Sequence, residues 1–300
     1  MSQRTARLSY SASWRDYYAL TKPKVVGLIT FTAMVGMLLA RPTMVPLDVL
    51  VFGSIGIALV AAAAAAINHM VDQRIDGLMA RTRGRPLPTG HLDSRRALLF
   101  AASICFVGMA LLLVYTNVLT ALLTLGSLIG YAGVYTMYLK RATPQNIVIG
   151  GAAGAAPPLL GWAAVSGQID PGALLLFLII FTWTPPRFWA LAIHRREDYK
   201  RADVPMLPVT HGVAYTRFQV LLYAIVLFAV SLLPFAIGMS GWLYLSAAAL
   251  LGARFVWYAW VLWSRRDNRY AMPTFVYSIT YLSGLFAALL ADHFLLMLLS

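Results

Sequence analysis

The chain has 300 residues, of which 60% are hydrophobic and only 12% are charged, and its formal net charge is +13. Its mean hydropathy is +0.72. This composition is too apolar for a soluble globular domain and too uniformly apolar for a membrane β-barrel with alternating strands. We therefore expect an all-α protein, a polytopic membrane helix bundle that forms a single domain over residues 1–300.

Apolar runs long enough to cross a bilayer recur along the whole chain. The nine runs cover approximately residues 25–41, 48–70, 97–116, 118–139, 145–166, 173–194, 215–238, 241–263 and 273–299. Pro157-Pro158 and Pro185-Pro186 lie inside the fifth and sixth runs and should kink or break them. Because broken backbone at membrane depth is tolerated where it lines a cavity, we expect nine transmembrane helices around a central cavity that faces the cytoplasm.

Positive charge falls almost entirely on one side of the predicted bundle. Lysine and arginine cluster before the first run and in every second connection, whereas only Arg41 falls clearly on the opposite side. The positive-inside rule then places the N-terminus and the long polar connections 71–96 and 195–214 in the cytoplasm, and the C-terminus in the periplasm, of a multi-pass inner-membrane protein. Residues 1–20 are expected to form a polar cytoplasmic tail. The basicity is thus a topology signal and does not indicate nucleic acid.

Three oxygen-bearing side chains follow the second run at four-residue spacing: Asn68, Asp72 and Asp76. A four-residue step on a helix turns by only about 40°, so the three side chains face one side. Arg81 and Arg85 come next, in a segment rich in glycine and proline. Carboxylates for a hard divalent cation, beside guanidinium groups for anionic oxygens, suit a magnesium diphosphate. The alternative is a solvated helix end followed by a basic cytoplasmic loop.

A second polar cluster follows the sixth run on the same predicted membrane face. Its acids are Glu197, Asp198 and Asp203, and its basic residues are Arg195, Arg196, Lys200 and Arg201. A mixed charge run is often only a solvated helix end. Because the chain has only eleven acidic residues, two acidic groups on one face favour a shared site. Lys140 and Arg141 end the fourth run on this face, either as stop-transfer charges or as diphosphate ligands.

These motifs resemble those of the intramembrane UbiA-type prenyltransferases. Asn68, Asp72 and Asp76, followed by Arg85-Pro-Leu-Pro, resemble the first aspartate-rich motif of that superfamily. Three further stretches resemble the protohaem IX farnesyltransferase family within it, namely Leu20-Thr-Lys-Pro-Lys24, residues 143–162 and residues 183–208. The resemblance covers about residues 18–295.

The resemblance implies a magnesium-dependent enzyme that transfers a farnesyl group from farnesyl diphosphate to a vinyl group of haem B, with addition of water, to give haem O for terminal oxidases. The implied catalytic residues are Asn68, Asp72, Asp76 and Asp198, which would hold Mg²⁺ together with Glu197. The implied substrate-binding residues are Arg81, Arg85, Lys140, Arg141, Arg187, His194 and Lys200. Haem B is then a substrate rather than a resident cofactor, and haem A synthase or an oxidase assembly factor is a candidate partner in the lipid bilayer.

Arg187 departs from the family pattern, in which we expect Pro-Pro-His-Phe where this chain has Pro-Pro-Arg187-Phe. A guanidinium stays protonated and cannot ligate iron. It can instead pair with a haem propionate, or extend to the cytoplasmic interface. His194 lies seven residues on, on nearly the same helix face, and is an alternative haem ligand. In a second departure, Asp198 has Ala202 four residues on, so the second motif lacks an acid pair.

Two other functions fit parts of the pattern. An aromatic prenyltransferase that acts on a quinone precursor would share the acidic motifs, but residues 143–162 and 183–208 argue against it. A cation-coupled transporter would also place carboxylates in a helical bundle. Transporters of that kind hold their acids near the bilayer midplane, whereas these acids cluster at one membrane face beside arginines.

Overall fold

The computed structural model describes residues 12–79 and 82–299, with the side chain of Arg141 outside this description. All regular structure in these ranges is helical. The first half contains α1 Trp14–Leu20, α2 Pro23–Leu39, α3 Leu47–Val71, α4 Gln73–Leu78, α5 Ser94–Tyr115, α6 Val118–Ile129, a π-helix Gly130–Leu139 and α7 Lys140–Ala142. The second half contains α8 Asn146–Ala155, α9 Pro157–Ser166, α10 Pro171–His194, α11 Arg196–Arg201, α12 Leu207–Thr210, α13 Gly212–Ala236, α14 Trp242–Ser264, a 3₁₀ turn Asn268–Tyr270 and α15 Ala271–Leu299.

The described residues contain eight helical segments that are long and apolar enough to cross a membrane. Helices α1 and α2 meet at 52° and supply a ninth span if the bent pair counts as one. The predicted all-helical, multi-pass membrane bundle is therefore confirmed. The predicted N-terminal tail ends in α1, whose Leu20 is fully buried against α3 and α5.

The two proline pairs differ in their effect on the helices. Helix α8 ends at Ala155 and Pro157 begins α9, so the break predicted in the fifth span is confirmed. Pro185 and Pro186 lie inside α10, which continues without a break to His194. The hydroxyls of Thr182 and Thr184 donate to the carbonyls of Leu178 and Ile180, in the turn before the prolines. A buried membrane helix can continue through proline where its neighbours accommodate the change.

Close backbone contact joins α2 to α9. A Cβ atom on Gly36 would lie 2.0 Å from the carbonyl oxygen of Pro158, and one on Gly161 would lie 1.9 Å from that of Ala33. The alanine-rich part of α3 packs against alanines of α5 in a similar way. Lipid tails are as apolar as aliphatic side chains, so close packing of small residues, rather than hydrophobicity, holds such helices together. These contacts fix α2 and α3, which carry two parts of the site described below.

The fourth span changes from α-helical to π-helical geometry at Gly130. Such wider turns are rare and often occur at functional sites. Gly150 of α8 makes room for this region, because a Cβ atom there would lie 2.0 Å from the ring of Tyr135. The π-helix ends at Leu139, so its geometry sets the position of Lys140.

Candidate active site

Asn68, Asp72 and Asp76 lie on one side of the junction between α3 and α4, and all three are buried. Helix α3 ends at Val71, and Asp72 is the turn residue between the two helices. The helical register continues through the turn, because the Asp72 N–H donates to the Asn68 carbonyl at 3.0 Å and the Asp76 N–H donates to the Asp72 carbonyl at 2.8 Å. The predicted face is therefore formed, and these three side chains are called the acidic ladder below.

Two basic side chains pair with the carboxylates of the acidic ladder. Lys140 Nζ lies 2.5 Å from Asp72 Oδ2, and Arg85 Nη1 lies 2.6 Å from Asp76 Oδ2. Removing one partner of a buried ion pair costs about 3–5 kcal/mol, because the other charge is left uncompensated. Both Lys140 and Arg85 were predicted to bind the diphosphate, and the structure brings both to the predicted magnesium ligands.

Lys22 is a third basic side chain at the acidic ladder, and it was not among the predicted site residues. It lies between α1 and α2, and its ammonium group donates to Asn68 Oδ1. A lysine at the start of an apolar span is usually a topology signal. The available sequence signal was its place in the Leu20–Lys24 stretch, directly before Pro23.

The two carboxylate oxygens of Asp72 differ in their hydrogen bonds. Oδ2 accepts hydrogen bonds from Lys140 and from Asn68 Nδ2, the latter at 2.9 Å. Oδ1 is buried and has no hydrogen-bond partner within the described residues. An unsatisfied buried carboxylate oxygen is costly, so it favours a ligand that brings positive charge. Oxygen donors of this type fit Mg²⁺.

The described residues contain no group of three or more His, Cys, Asp or Glu side chains placed to hold a metal ion. Mg²⁺ does not require such a group, because it is usually bound through one or two carboxylates together with phosphate oxygens of the substrate. The two carboxylates and the amide of the acidic ladder therefore remain a suitable donor set for a magnesium diphosphate.

Aromatic rings of the π-helix lie beside the acidic ladder. Tyr131 and Tyr135 stack with their centroids 5.6 Å apart, and both phenols are within electrostatic range of the Asp72 carboxylate. Tyr135 is also within range of Tyr199 on α11. Tyr135 is thus near both the acidic ladder and helix α11.

The second acidic motif is held mainly by local ion pairs. Asp198 lies 2.5 Å from Arg201 and 3.7 Å from Arg195, and its side chain is 12% exposed. The Glu197 carboxylate lies 3.6 Å from Arg196, and its side chain is 71% exposed. The Asp198 side chain is therefore mostly buried and that of Glu197 is mostly exposed. The assignment of both residues to Mg²⁺ stays a prediction.

The other predicted substrate-binding residues are less constrained. His194 ends α10 and is exposed, as is Lys200 on α11. Arg81 and the side chain of Arg141 lie outside the described residues. The roles of these four residues stay predictions.

Arg187 lies in a box of three aromatic rings. Its guanidinium carbon is 4.3 Å from the centroid of Trp183, 5.5 Å from that of Phe188 and 5.4 Å from that of Phe275. A hydrogen bond from Trp183 Nε1 to the carbonyl of Ser278 holds the closest ring in place. The Arg187 Nε is buried and has no hydrogen-bond partner within the described residues. The Arg187 guanidinium therefore has an unused hydrogen-bond donor, which favours an anionic ligand.

A cleft of about 560 Å³ lies between α2 and α3, and its lining is mainly apolar. Thr21 and Pro23, the neighbours of Lys22, belong to this lining, which also includes Met34 and Ile55. An apolar surface thus begins next to one of the basic residues of the site.

Carboxylates and basic groups at the end of an apolar helical bundle are suited to binding an anionic group together with a divalent cation. Residues 29–290 match the UbiA prenyltransferase family, and the chain belongs to that family. A protoheme IX farnesyltransferase from Hahella chejuensis is 60% identical, with 97% of each chain aligned. A protoheme IX farnesyltransferase 1 from Pseudomonas putida strain W619 is 62% identical, over 95% of this chain and 96% of the relative.

Solved structures confirm the fold. A digeranylgeranylglyceryl phosphate synthase superposes with a TM-score of 0.78 at 19% identity, over 93% of this chain and 98% of the other. A UbiA homolog from Archaeoglobus fulgidus, solved with DMAPP and Mg²⁺, superposes with a TM-score of 0.64 at 19% identity, over 91% and 99% of the two chains. At this level of identity the likeness concerns the fold alone.

Proposed function

We propose that this chain transfers the farnesyl group of farnesyl diphosphate to a vinyl group of haem B, with addition of water, to form haem O. Relatives called protoheme IX farnesyltransferases align with nearly the whole chain at 60–62% identity, which supports this reaction. The observation in the structure that carries the proposal is the acidic ladder, with the unpartnered Asp72 Oδ1 and three adjacent basic side chains.

In this proposal Asn68, Asp72 and Asp76 hold Mg²⁺, and Asp198 and Glu197 contribute from the second motif. When bound, Mg²⁺ neutralises negative charge on the diphosphate and so makes it a better leaving group. Only oxygen donors are required of these residues, and the side chains of Asn68 and Asp72 already lie within hydrogen-bond distance of each other.

Lys140 and Arg85 bind the remaining diphosphate oxygens. As the bond between farnesyl C1 and oxygen breaks, its electron pair leaves with the diphosphate, and negative charge on that group increases. The two cations already lie at the acidic ladder, so the charge is stabilised by groups that need little reorganisation. Arg81, Arg141 and Lys200 are proposed to assist on the same face.

The farnesyl cation then accepts the electron pair of the haem vinyl group, which forms the new carbon–carbon bond. Water adds to the resulting cation and loses a proton, which leaves a hydroxyethylfarnesyl group on the haem. The faces of Tyr131 and Tyr135 are suited to stabilising a cation beside the diphosphate. The apolar surroundings limit premature capture of the first cation by water.

Arg187 is proposed to bind a haem propionate. Its charge is fixed, its Nε is unpartnered within the described residues, and three aromatic rings that could also contact a porphyrin surround it. His194 remains the proposed alternative for contact with the iron. A contact with haem A synthase or an oxidase assembly factor follows only from the resemblance.

We propose that the protein lies in the cell inner membrane with its N-terminus and both acidic motifs on the cytoplasmic side and its C-terminus in the periplasm. Single cysteines at the exposed positions Thr89 and Gln168, in a Cys105→Ala background, test this orientation. A membrane-impermeant thiol reagent should label Gln168→Cys from outside intact spheroplasts and Thr89→Cys only after lysis. Labelling of both from the same side would contradict the orientation.

The reaction is tested with purified protein, haem B, farnesyl diphosphate and Mg²⁺. Mass spectrometry of the extracted haem should show a mass increase of one farnesyl group plus one hydroxyl group. In a parallel reaction 4-hydroxybenzoate replaces haem B and should remain unmodified. Prenylated 4-hydroxybenzoate together with unchanged haem would assign the chain to aromatic prenyl transfer instead.

A further inference from the structure

Lys22 adopts a backbone conformation that lysine disfavours. Its φ of 49° and ψ of 60° lie in the left-handed region, where glycine and asparagine are the common residues. The residue before a proline is normally extended, yet Pro23 follows. Lys22 also occupies the N-cap position of α2, but its side chain makes no capping hydrogen bond. Local structure therefore gives no reason for lysine at this position.

The contact that Lys22 does make is with the acidic ladder. Its ammonium group donates to Asn68 Oδ1, across 46 positions of the chain. The residue sits at the bend where α1 and α2 meet at 52°. A strained conformation that is maintained by the surrounding fold is a feature of functional sites. Here the conformation directs a cation from the bend to the first member of the ladder.

Lys22 differs from the other two basic residues beside the acidic ladder in its hydrogen-bond partner. Lys140 and Arg85 each contact a carboxylate, whereas Lys22 contacts the neutral oxygen of an amide. The cluster thus combines two carboxylates with three cations, and Lys22 carries the surplus positive charge. A partly buried cation bonded to a neutral group is stabilised when an anion binds to it.

We propose that Lys22 is a third diphosphate-binding residue, which exchanges its bond with Asn68 for one with a phosphate oxygen when the isoprenyl diphosphate binds. The proposal rests on the function proposed above. An allylic diphosphate carries more negative charge than one magnesium ion neutralises, and the surplus charge of Lys22 compensates the remainder. The exchange also releases Asn68 Oδ1 from the ammonium group, so that this oxygen is available to Mg²⁺.

Binding of farnesyl thiodiphosphate in the presence of Mg²⁺, measured by calorimetry in detergent, tests the role of Lys22. Lys22→Met removes the charge while keeping an unbranched side chain of similar length, and should weaken binding about ten- to a hundredfold. Inorganic diphosphate should lose affinity by a similar factor, because the contact is with phosphate. The matched control Lys24→Met changes an exposed lysine of the same segment and should bind like wild type. Unchanged affinity in Lys22→Met would overturn the proposal.

Two further variants separate binding from a structural role. Lys22→Gly relieves the left-handed strain, so its thermal midpoint should be no lower than that of Lys22→Met, while its affinity for the analogue is equally reduced. Lys22→Arg keeps the charge and should recover part of the affinity. If Lys22→Gly and Lys22→Met both unfold at much lower temperature, and their folded fractions bind like wild type, Lys22 has only a structural role and the proposal is wrong.

The haem product separates failure of this proposal from failure of the proposed function. If wild type forms haem O but Lys22→Met binds the analogue normally, only the role of Lys22 is wrong. If wild type leaves haem B unchanged but its affinity for the analogue depends on Lys22, the acceptor is wrong and the role of Lys22 stands.

Discussion

The two acidic motifs of this chain differ in how firmly the fold holds them. In the first, Asn68, Asp72 and Asp76 are buried and are contacted by basic side chains from three separate parts of the chain. In the second, Asp198 and Glu197 pair with arginines no more than three positions away. The sequence alone makes the two motifs look similar, because both combine acids with nearby arginines.

The difference indicates separate tasks for the two motifs. Groups held by long-range contacts are already positioned and can stabilise developing charge with little reorganisation. Ion pairs between sequence neighbours, in which the arginines remain accessible to water, contribute less and exchange more readily. We therefore expect the acidic ladder to dominate metal and diphosphate chemistry, and the α10–α11 region to contribute more to haem binding than to bond breaking.

Asp72→Asn should have the largest effect. The substitution keeps the shape of the side chain but removes the charge that pairs with Lys140 and would hold Mg²⁺. Haem O formation at saturating substrates should fall by about 10²–10³-fold, as for other losses of transition-state charge stabilisation. Asp48→Asn makes the same change at an exposed position in the first turn of the same helix and should be neutral. Wild-type turnover in Asp72→Asn would remove the ladder from the mechanism.

Arg187→Ala should have the next largest effect, and it should reduce only the affinity for haem B. Loss of a charge-assisted hydrogen bond in a partly buried site corresponds to about 1.5–3 kcal/mol, or about ten- to a hundredfold in haem B affinity. The affinity for farnesyl thiodiphosphate should change little. Arg187→Lys keeps the charge but not the planar stacking, and should lie between alanine and wild type. If absorbance titration shows unchanged haem affinity in Arg187→Ala, the aromatic box is only a packing feature.

Asp198→Asn should reduce turnover by about tenfold, the lower end of what loss of a group that supports a metal site causes. Its carboxylate is less exposed than that of Glu197, but it is neutralised by arginines of its own segment. Excess Mg²⁺ should restore part of the activity. A loss as severe as that of Asp72→Asn would show that the two motifs contribute equally, which the contacts do not predict.

Glu197→Gln should have the smallest effect. An exposed ion pair with an adjacent arginine contributes little to folding or binding. Turnover and the magnesium requirement should remain within about twofold of wild type. A strong loss of magnesium affinity would show that Glu197 is a main metal ligand rather than a minor contributor, and the second motif would have to move on substrate binding.

Most of the fold could be predicted because membrane thickness limits the length of each apolar segment. The predicted spans 241–263 and 48–70 end within two residues of α14 and α3. The acidic ladder could be predicted for a similar reason, since its four-residue spacing follows helical geometry. That spacing survives the turn at Asp72 because backbone hydrogen bonds continue through it.

The remaining features depend on contacts between distant residues. The sequence of the fourth span does not indicate a π-helix, whose wider turn is accommodated where Gly150 leaves space for Tyr135. Lys22 looked like a topology charge, because its contact with Asn68 spans 46 positions. Two rings around Arg187 are close in sequence, but the third, Phe275, comes from α15. Patterns along one helix could thus be predicted, whereas contacts between helices required the structure.

Electron paramagnetic resonance of Mn²⁺, used in place of Mg²⁺ with farnesyl thiodiphosphate, tests most directly whether the acidic ladder is the metal and diphosphate site. We predict that wild type and Glu197→Gln bind Mn²⁺ in a complex whose spectrum shows coupling to phosphorus. In Asp72→Asn this bound signal should be lost at the same concentrations. An unchanged bound-Mn²⁺ signal in Asp72→Asn would contradict the central role assigned to the ladder.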